Sequence, residues 1–385
     1  MRIAHVITRM ILGGAQENTL LCCRDHIHRY GDEVLLVTGP AEGPEGSLLE
    51  RAKQEGVPTA ILPDLVREIH PWHDLQAYFA IRSALAEFRP DVVHTHSAKA
   101  GVLGRIAAWY LRVPAIVHTV HGAPWYPAQN YFAQTAIRWA EWYAARHCHH
   151  LVSVADAMTD QMVAGGVAPR EKFTTVWSGM EVEPFLAAEQ HRQRMRDEFG
   201  FAADEIVIGK IGRLFELKGH DDVLSSFESL ELAGLPVRLL LVGDGILRES
   251  LEKRVHERGL TEKVTFAGLV PPERIPEYLS AMDVVVHASL REGLARVLPQ
   301  ALISGKPVVS YDVDGAREVV TTGETGFLVP AGDVAGLTES LRQLVKDRDL
   351  RERLGQSHRQ ELAARFRYQT MTDSLRALYQ RLLAS

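Results

Sequence analysis

Arg213 and Lys218 stand five positions apart in the segment GRLFELKGH, directly after the apolar run Ile206 to Gly212. A planar guanidinium and a point-like ammonium at the mouth of a following helix suit a dianionic phosphate group, whose charge they can neutralise as it departs. Glu292 follows another apolar run, Val284 to Val286, and Gln300 lies eight positions further on. The carboxylate accepts hydrogen bonds from hydroxyls, and the amide both accepts and donates. His121-Gly122 comes directly after AIVHTV, Ala115 to Val120. A neutral imidazole there can serve hydroxyls in both directions. Gly13-Gly14 leaves backbone N–H groups free to come close to a phosphate. Lys99 and Arg105, on one helix, could touch an acceptor phosphate, or be no more than a solvated helical face. Trp125, with Tyr126, Trp139, Trp142 and Tyr143, could stack on sugars, meet a lipid interface, or be core.

These residues need rigid elements to hold them, and the hydrophobic pattern supplies strands and helices in alternation. Arg2 to Thr8, Glu33 to Thr38, Val57 to Leu62, Asp91 to Thr95, Ala115 to Val120 and Leu151 to Val154 read as strands. Between them lie helical patterns such as Gln16 to Tyr30, His73 to Phe88, a helix capped by Ser97, and Gln129 to Ala145. After VWSGMEVEPF, residues 176–185, the alternation restarts with Ile206 to Gly212, Arg238 to Val242 and Val264 to Gly268. It continues with Val284 to Val286, Pro307 to Ser310 and Gly326 to Pro330. This is the doubly wound α/β pattern, twice over. Leu294 to Ser304 reads as a helix stopped by Gly305, so Gly293, Leu294 and Ala295 mark an end suited to an anion. Gly243-Asp244-Gly245 lacks the dinucleotide spacing and reads as scaffold.

Length and composition narrow the class. A chain of 385 residues suggests two domains, here 1–180 and 181–364, with a helical segment 365–385 able to cross back to the first. A net charge of −6 argues against a nucleic-acid binder. Three cysteines, two of them adjacent, form no disulfide framework, and the amino-terminal run lacks a secretory core. A cytoplasmic protein is expected, with peripheral contact at the inner face of a membrane left open. His94 and His96 share a strand face and could chelate a metal, as could the His147-Cys148-His149-His150 group. Neither has a second pair at zinc spacing, so no metal and no other cofactor is expected.

Taken in order, the double glycine, His121-Gly122, the crossing segment, the Arg213/Lys218 pair and Glu292-x7-Gln300 resemble the family 4 glycosyltransferases. Those are retaining enzymes of the GT-B fold, two Rossmann-like domains facing a cleft. The resemblance covers essentially the whole chain. It implies transfer of a sugar from a nucleotide diphosphate donor, UDP favoured, to an acceptor hydroxyl, the nucleotide held mainly by the second domain. By the same resemblance Glu292 faces the donor sugar and pyrophosphate, His121 contacts the sugar, and the Gly13-Gly14 loop faces the diphosphate. Arg213 and Lys218 meet the leaving group, Gly268 and Val270 lie near the base, and Gln300 meets the ribose. The family has a glutamate where this chain has Gln300, so a charge-assisted bond is lost. Ser178 and Met180 also depart from the family's crossing segment. The stretch VHTHSAKAGVLGR resembles members acting in bacterial surface-polysaccharide assembly, and glycan, lipid-linked or small-molecule acceptors all fit. Asp312-Val-Asp314 resembles the metal-binding motif of the other glycosyltransferase fold, but ends a strand where family 4 has a loop. A UDP-sugar 2-epimerase of the same fold and a silent nucleotide-sugar-binding protein are the alternatives. Donor hydrolysis with and without acceptors separates the three.

Overall fold

The β-branched runs become parallel strands, and those at the sheet centres are buried on both faces, as strands covered by helices on each side must be. The computed structural model describes residues 1–41, 46–125 and 129–384, so Tyr126 lies outside the described residues. The chain divides into two units, Met1–Met180 with Phe366–Ser385, and Glu181–Arg365.

The first unit holds β1 (Arg2–Arg9), β2 (Glu33–Gly39), β3 (Thr59–Ile61), β4 (Val92–His96), β5 (Ala115–Val120), β6 (His150–Ser153) and β7 (Phe173–Thr175), in the order β3-β2-β1-β4-β5-β6-β7. β1 pairs with β2 on one side and β4 on the other, so the strand order reverses between β1 and β4. That reversal opens a crevice at the strands' carboxyl ends. The second unit repeats the plan with β8 (Ile206–Ile211), β9 (Val237–Val242), β10 (Val264–Gly268), β11 (Val284–His287), β12 (Val308–Tyr311) and β13 (Gly326–Val329). Its order is β10-β9-β8-β11-β12-β13, with the reversal between β8 and β11.

Three elements depart from the sequence reading. The strand that closes the first sheet is Phe173–Thr175, short and preceded by a 3-10 turn, a strand absent from those read in the sequence. Ser97 does not cap its helix with its side chain. The helix after β11 runs only from Val297 to Ile303. Pro299 fixes that start, because a proline lacks the N–H of an interior position and is tolerated only in a first turn. Gln300 therefore sits in the first turn of this helix, not two turns along it.

The helix Tyr368–Leu383 belongs to the first unit, where Met371, Leu375, Leu378 and Tyr379 join Ile3, Leu20, Cys22 and Cys23 in one apolar cluster. Each such side chain fully buried contributes about 1.5–3 kcal/mol. All three cysteines are buried and free, and burial raises their thiols away from the reactive thiolate form.

At the edge of this cluster Asp32 accepts from the amino-terminal Met1 at 2.7 Å, from His26 Nδ1 at 3.0 Å and from Arg376. Burial pushes the Asp32 carboxyl up, but these partners prevail and hold it at about 2, against an ordinary 3.8. A depressed folded-state value gives stability that is complete above the unfolded value and vanishes as pH falls through the folded one. Asp32→Asn is expected to cost about 2 kcal/mol in urea unfolding at pH 7, the gap to wild type closing between pH 4 and pH 2. A gap independent of pH would refute the charge assignment.

Candidate functional site

In the second unit the loops leaving β8 and β11 emerge side by side at the strand-order reversal. Leu290 N–H bonds the Leu217 carbonyl at 2.8 Å, stitching one loop to the other. Gly219 makes the approach possible: its φ is +66°, and a Cβ there would lie 1.9 Å from the Ala288 carbonyl oxygen. Leu217 and Asp314 hold positive φ without being glycine, strain of the kind that gathers where geometry serves chemistry.

The stitching brings Lys218 Nζ to 2.5 Å from Glu292 Oε1. The Glu292 N–H donates to Asp314 Oδ2 at 2.6 Å, and Gly315 N–H to the Gly293 carbonyl at 3.2 Å. Asp312 pairs with Arg317 instead, so both carboxylates of the Asp-Val-Asp stretch are used inside the unit. His287, buried at the end of β11, places Nε2 3.5 Å from Glu292 Oε1. Burial would raise the Glu292 carboxyl, but His287 and Lys218 more than offset it and hold it well below its ordinary value. Lys210, buried inside β8, is pulled down to about 7 by burial and by the nearby Lys218 charge. His287, Lys210 and Asp314 were not singled out from sequence as site residues. For His287 the signal was present, as the polar end of an otherwise apolar strand.

Arg213 is exposed, its guanidinium 5.1 Å from the Phe215 ring centre, and its carbonyl accepts from His220 Nε2 at 2.9 Å. Gly268 ends β10 with φ +73° and its carbonyl accepts from Gly243 N–H at 2.9 Å, which ties the Gly-Asp-Gly turn into the framework. Val270 and Ala295 are buried, and Leu269 is the exposed neighbour. Gly293 and Leu294 lie in loop, not at a helix end, because that helix begins at Val297. Gln300 is half-buried.

In the first unit Gly13 precedes the helix Gly14–His28, with Gly13 half-buried and Gly14 exposed. Close by in the strand order, Thr8 at the end of β1 bonds Ser97 beyond β4, hydroxyl to hydroxyl at 2.7 Å. Ser97 has φ +60°, and this is why its side chain turns to Thr8 rather than to its own helix. His121, beyond β5, sets Nε2 3.1 Å from His96 Nδ1 and lines a cavity of about 60 Å³ with Ser97, His118 and Pro124. A roomier cavity of about 570 Å³ opens at the opposite, amino end of β5, beside Trp109 and Arg112, away from this chemistry.

The acceptor-side candidates are corrected by their surroundings. Arg105 is fully buried and bonds Glu141 at 2.7 Å, so it braces the interior rather than lying on a solvated helical face. Trp125 is core, with Arg138 5.4 Å from its ring centre. Lys99 is mostly buried and held by Asp74 and the Glu68 carbonyl. By contrast Tyr131, Phe132, Trp139 and Trp142 are exposed along the helix Tyr131–Ala145. His5, His94 and His96 bring ring nitrogens within 4.8 Å of one another. Both nitrogens of His94 are engaged, by Tyr379 at 2.5 Å and Thr119 at 2.6 Å, and His5 bonds His96, so the group is knit by hydrogen bonds.

Lys218→Met is expected to raise the Glu292 titration toward the ordinary carboxylate range, read by carbon-13 shifts of the side-chain carboxyl. An unmoved titration would mean that the ammonium does not set this charge.

Residues 16–179 match a family model described as Glycosyl transferase 4-like domain, and residues 191–361 one described as Glycosyl transferases group 1. The chain is 25% identical to the capsular polysaccharide biosynthesis glycosyltransferase CapM of Staphylococcus aureus, over 81% of this chain and 82% of that one. It is also 25% identical to the UDP-Gal:alpha-D-GlcNAc-diphosphoundecaprenol alpha-1,3-galactosyltransferase of Escherichia coli, over 98% of this chain and 96% of that one. Its backbone is similar to the crystal structure of Anabaena Alr3699/HepE in complex with UDP, with a TM-score of 0.82 at 22% identity over 99% of this chain and 100% of that one. At that identity the likeness speaks for the fold.

Proposed function

The chain belongs to the GT-B glycosyltransferases of the family 4 type, and from that premise we propose that it moves a sugar from a UDP-sugar to a hydroxyl of a cell-surface glycan or lipid-linked sugar, with retention at the anomeric carbon. The observation that carries this reading is the Lys218–Glu292 pair at the strand-order reversal of the second sheet. In support of the donor and acceptor classes stand the E. coli relative, named for UDP-Gal and a diphosphoundecaprenol acceptor, and the UDP-bound Anabaena neighbour.

In such a transfer the bond from the anomeric carbon to the diphosphate breaks, the acceptor oxygen takes its place, and the hydroxyl proton leaves with the diphosphate. Negative charge grows on the departing group, and catalysis consists of holding fixed positive charge there. An ammonium has three N–H donors, so Lys218 can hold Glu292 with one and a phosphate oxygen with another. Arg213, exposed beside it in sequence, adds a second cation. Glu292, kept ionised by its neighbours, accepts from sugar hydroxyls. Gln300 offers an amide to the ribose, and in the first unit His121 and the Gly13-Gly14 amides are the polar groups that the resemblance assigns to sugar-nucleotide binding.

Lys218→Ala is expected to lower turnover with the best UDP-sugar by roughly 100- to 1,000-fold while the far-ultraviolet dichroism stays that of wild type. A thermal-shift panel of nucleotide sugars selects that donor, and near-normal turnover of the variant would reject the reading.

The membrane-facing part of the proposal rests on the helix Tyr131–Ala145. No helix among the described residues is long and apolar enough to cross a membrane. Phe132, Trp139 and Trp142 nonetheless recur at helical spacing on its exposed side, with Arg138 and Arg146 among them. Aromatic rings with interleaved cations suit the boundary of an anionic bilayer. Co-sedimentation with vesicles rich in anionic lipid is expected for wild type and strongly reduced for the Phe132→Ser, Trp139→Ser double variant. Equal binding by both would exclude this face.

A further inference from the structure

Lys210 bears a charge in a place that packing alone would fill with a hydrocarbon. It lies near the carboxyl end of β8, 2% exposed, opposite Leu241 of β9. Side chains two apart on a strand share a face, and Ile208 on that face belongs to an apolar cluster with Val223, Leu241, Val286 and Val309. Lys306, also buried in this unit, has its ammonium 2.9 Å from Glu189. Lys210 is left without such a partner: among the described residues no carboxylate pairs with its Nζ, and Nζ makes no hydrogen bond. A buried cation in that condition costs stability that a hydrocarbon of similar shape would return.

The groups that act on Lys210 come from each neighbouring element. Lys218 follows in the loop beyond β8, His287 and Glu292 come from β11 and its loop, and the helix His220–Leu232 brings His220 and Asp222. Asp222 Oδ2 accepts from the Tyr311 hydroxyl, on β12, at 2.8 Å, and burial together with this bond keeps the proton on Tyr311. His220 donates from Nε2 to the Arg213 carbonyl at 2.9 Å. Burial holds His220 at about 4 and pushes His287 down as well, so both rings are neutral. On Lys210 itself burial works against the ammonium first and the Lys218 charge second, while Glu292 and Asp222 favour it. The balance falls at about 7, against an ordinary 10.5. With the imidazoles neutral and Glu292 ionised, Lys210 is the group whose charge an arriving anion can change.

We propose that Lys210 is a reserve cation behind Lys218: its amine takes a proton from solvent as the diphosphate of the nucleotide sugar seats at Lys218, so that donor and proton bind together. This rests on the reading of Lys218 as the ammonium that meets the diphosphate. It adds a second positive charge beneath the first, complete only while the donor is bound, when two further negative charges have to be met.

Calorimetric titration of the whole protein at pH 7, in buffers of different ionisation enthalpy, counts the protons taken up. The probe is whichever of UDP-glucose, UDP-galactose and UDP-N-acetylglucosamine gives the largest thermal shift. Their diphosphates are esterified at both ends and keep one charge across neutral pH. Wild type is expected to take up about half a proton per site, because a group titrating near 7 is half charged at pH 7. Its affinity is expected to be level below about pH 6 and to fall above pH 7 by up to about tenfold per pH unit, since the free form loses the proton that the bound form keeps. Lys210→Met is expected to show no uptake and an affinity independent of pH, with a urea midpoint at or above that of wild type. Zero uptake by wild type, or equal uptake by the methionine variant, would overturn the proposal. Should that variant fail to fold, Lys210→Leu takes its place, and a flat wild-type pH profile overturns the proposal without either. Wild-type affinity in Lys218→Ala, or no binding of any of the three probes, would instead remove the reading of the site on which the proposal rests.

Discussion

A carboxylate kept ionised against a lysine at the mouth of a parallel sheet is the constraint around which the second unit is arranged. Burial works against the charge on Glu292, and only close cationic or hydrogen-bonding partners make it tolerable. Lys218 can reach it because β8 and β11 are neighbours, because Gly219 lets one loop lie on the end of the other strand, and because Asp314 fixes the Glu292 backbone. Removing any of these leaves a charge in a place that does not solvate it. The site's charge and the packing beneath it are therefore one problem, solved by the order of the strands.

The first unit solves a different problem with neutral groups. Its central strands carry histidines and threonines where valines would be cheaper to bury, and nearly all of their polar atoms find partners across neighbouring strands. Fixed hydrogen bonds among uncharged rings orient without adding charge.

The strands were legible because burial on both faces demands continuous β-branched runs; Ala115 to Val120 falls where the sequence places it. Lys218 and Glu292 were legible as charges in strand-end loops because each follows such a run within a few residues. What escaped depends on partners remote in sequence. Arg105 looks solvent-facing until Glu141, on another helix, is seen beside it. Trp125 and Trp139 are alike in composition, yet one is core and the other exposed, since that depends on which helix covers which face. The link between His96 and His121 needs β4 beside β5, a neighbourhood that periodicity does not encode. The helix after β11 was overextended because its apolar spacing outweighed the single proline that sets its start.

The helix Tyr368–Leu383 carries a consequence for the order of assembly. It seals the amino-terminal sheet, with Tyr379 bonded to His94 in the centre of that sheet, but the ribosome makes it only after every strand of the other unit. The later-encoded unit can therefore condense while the earlier-encoded one still waits for its last wall. In that interval the neighbours of Cys22 and Cys23 lack a cover, and nascent chains at this stage are the form most exposed to self-association and thiol chemistry. A fold that opens with its first strand is thus finished from its far end.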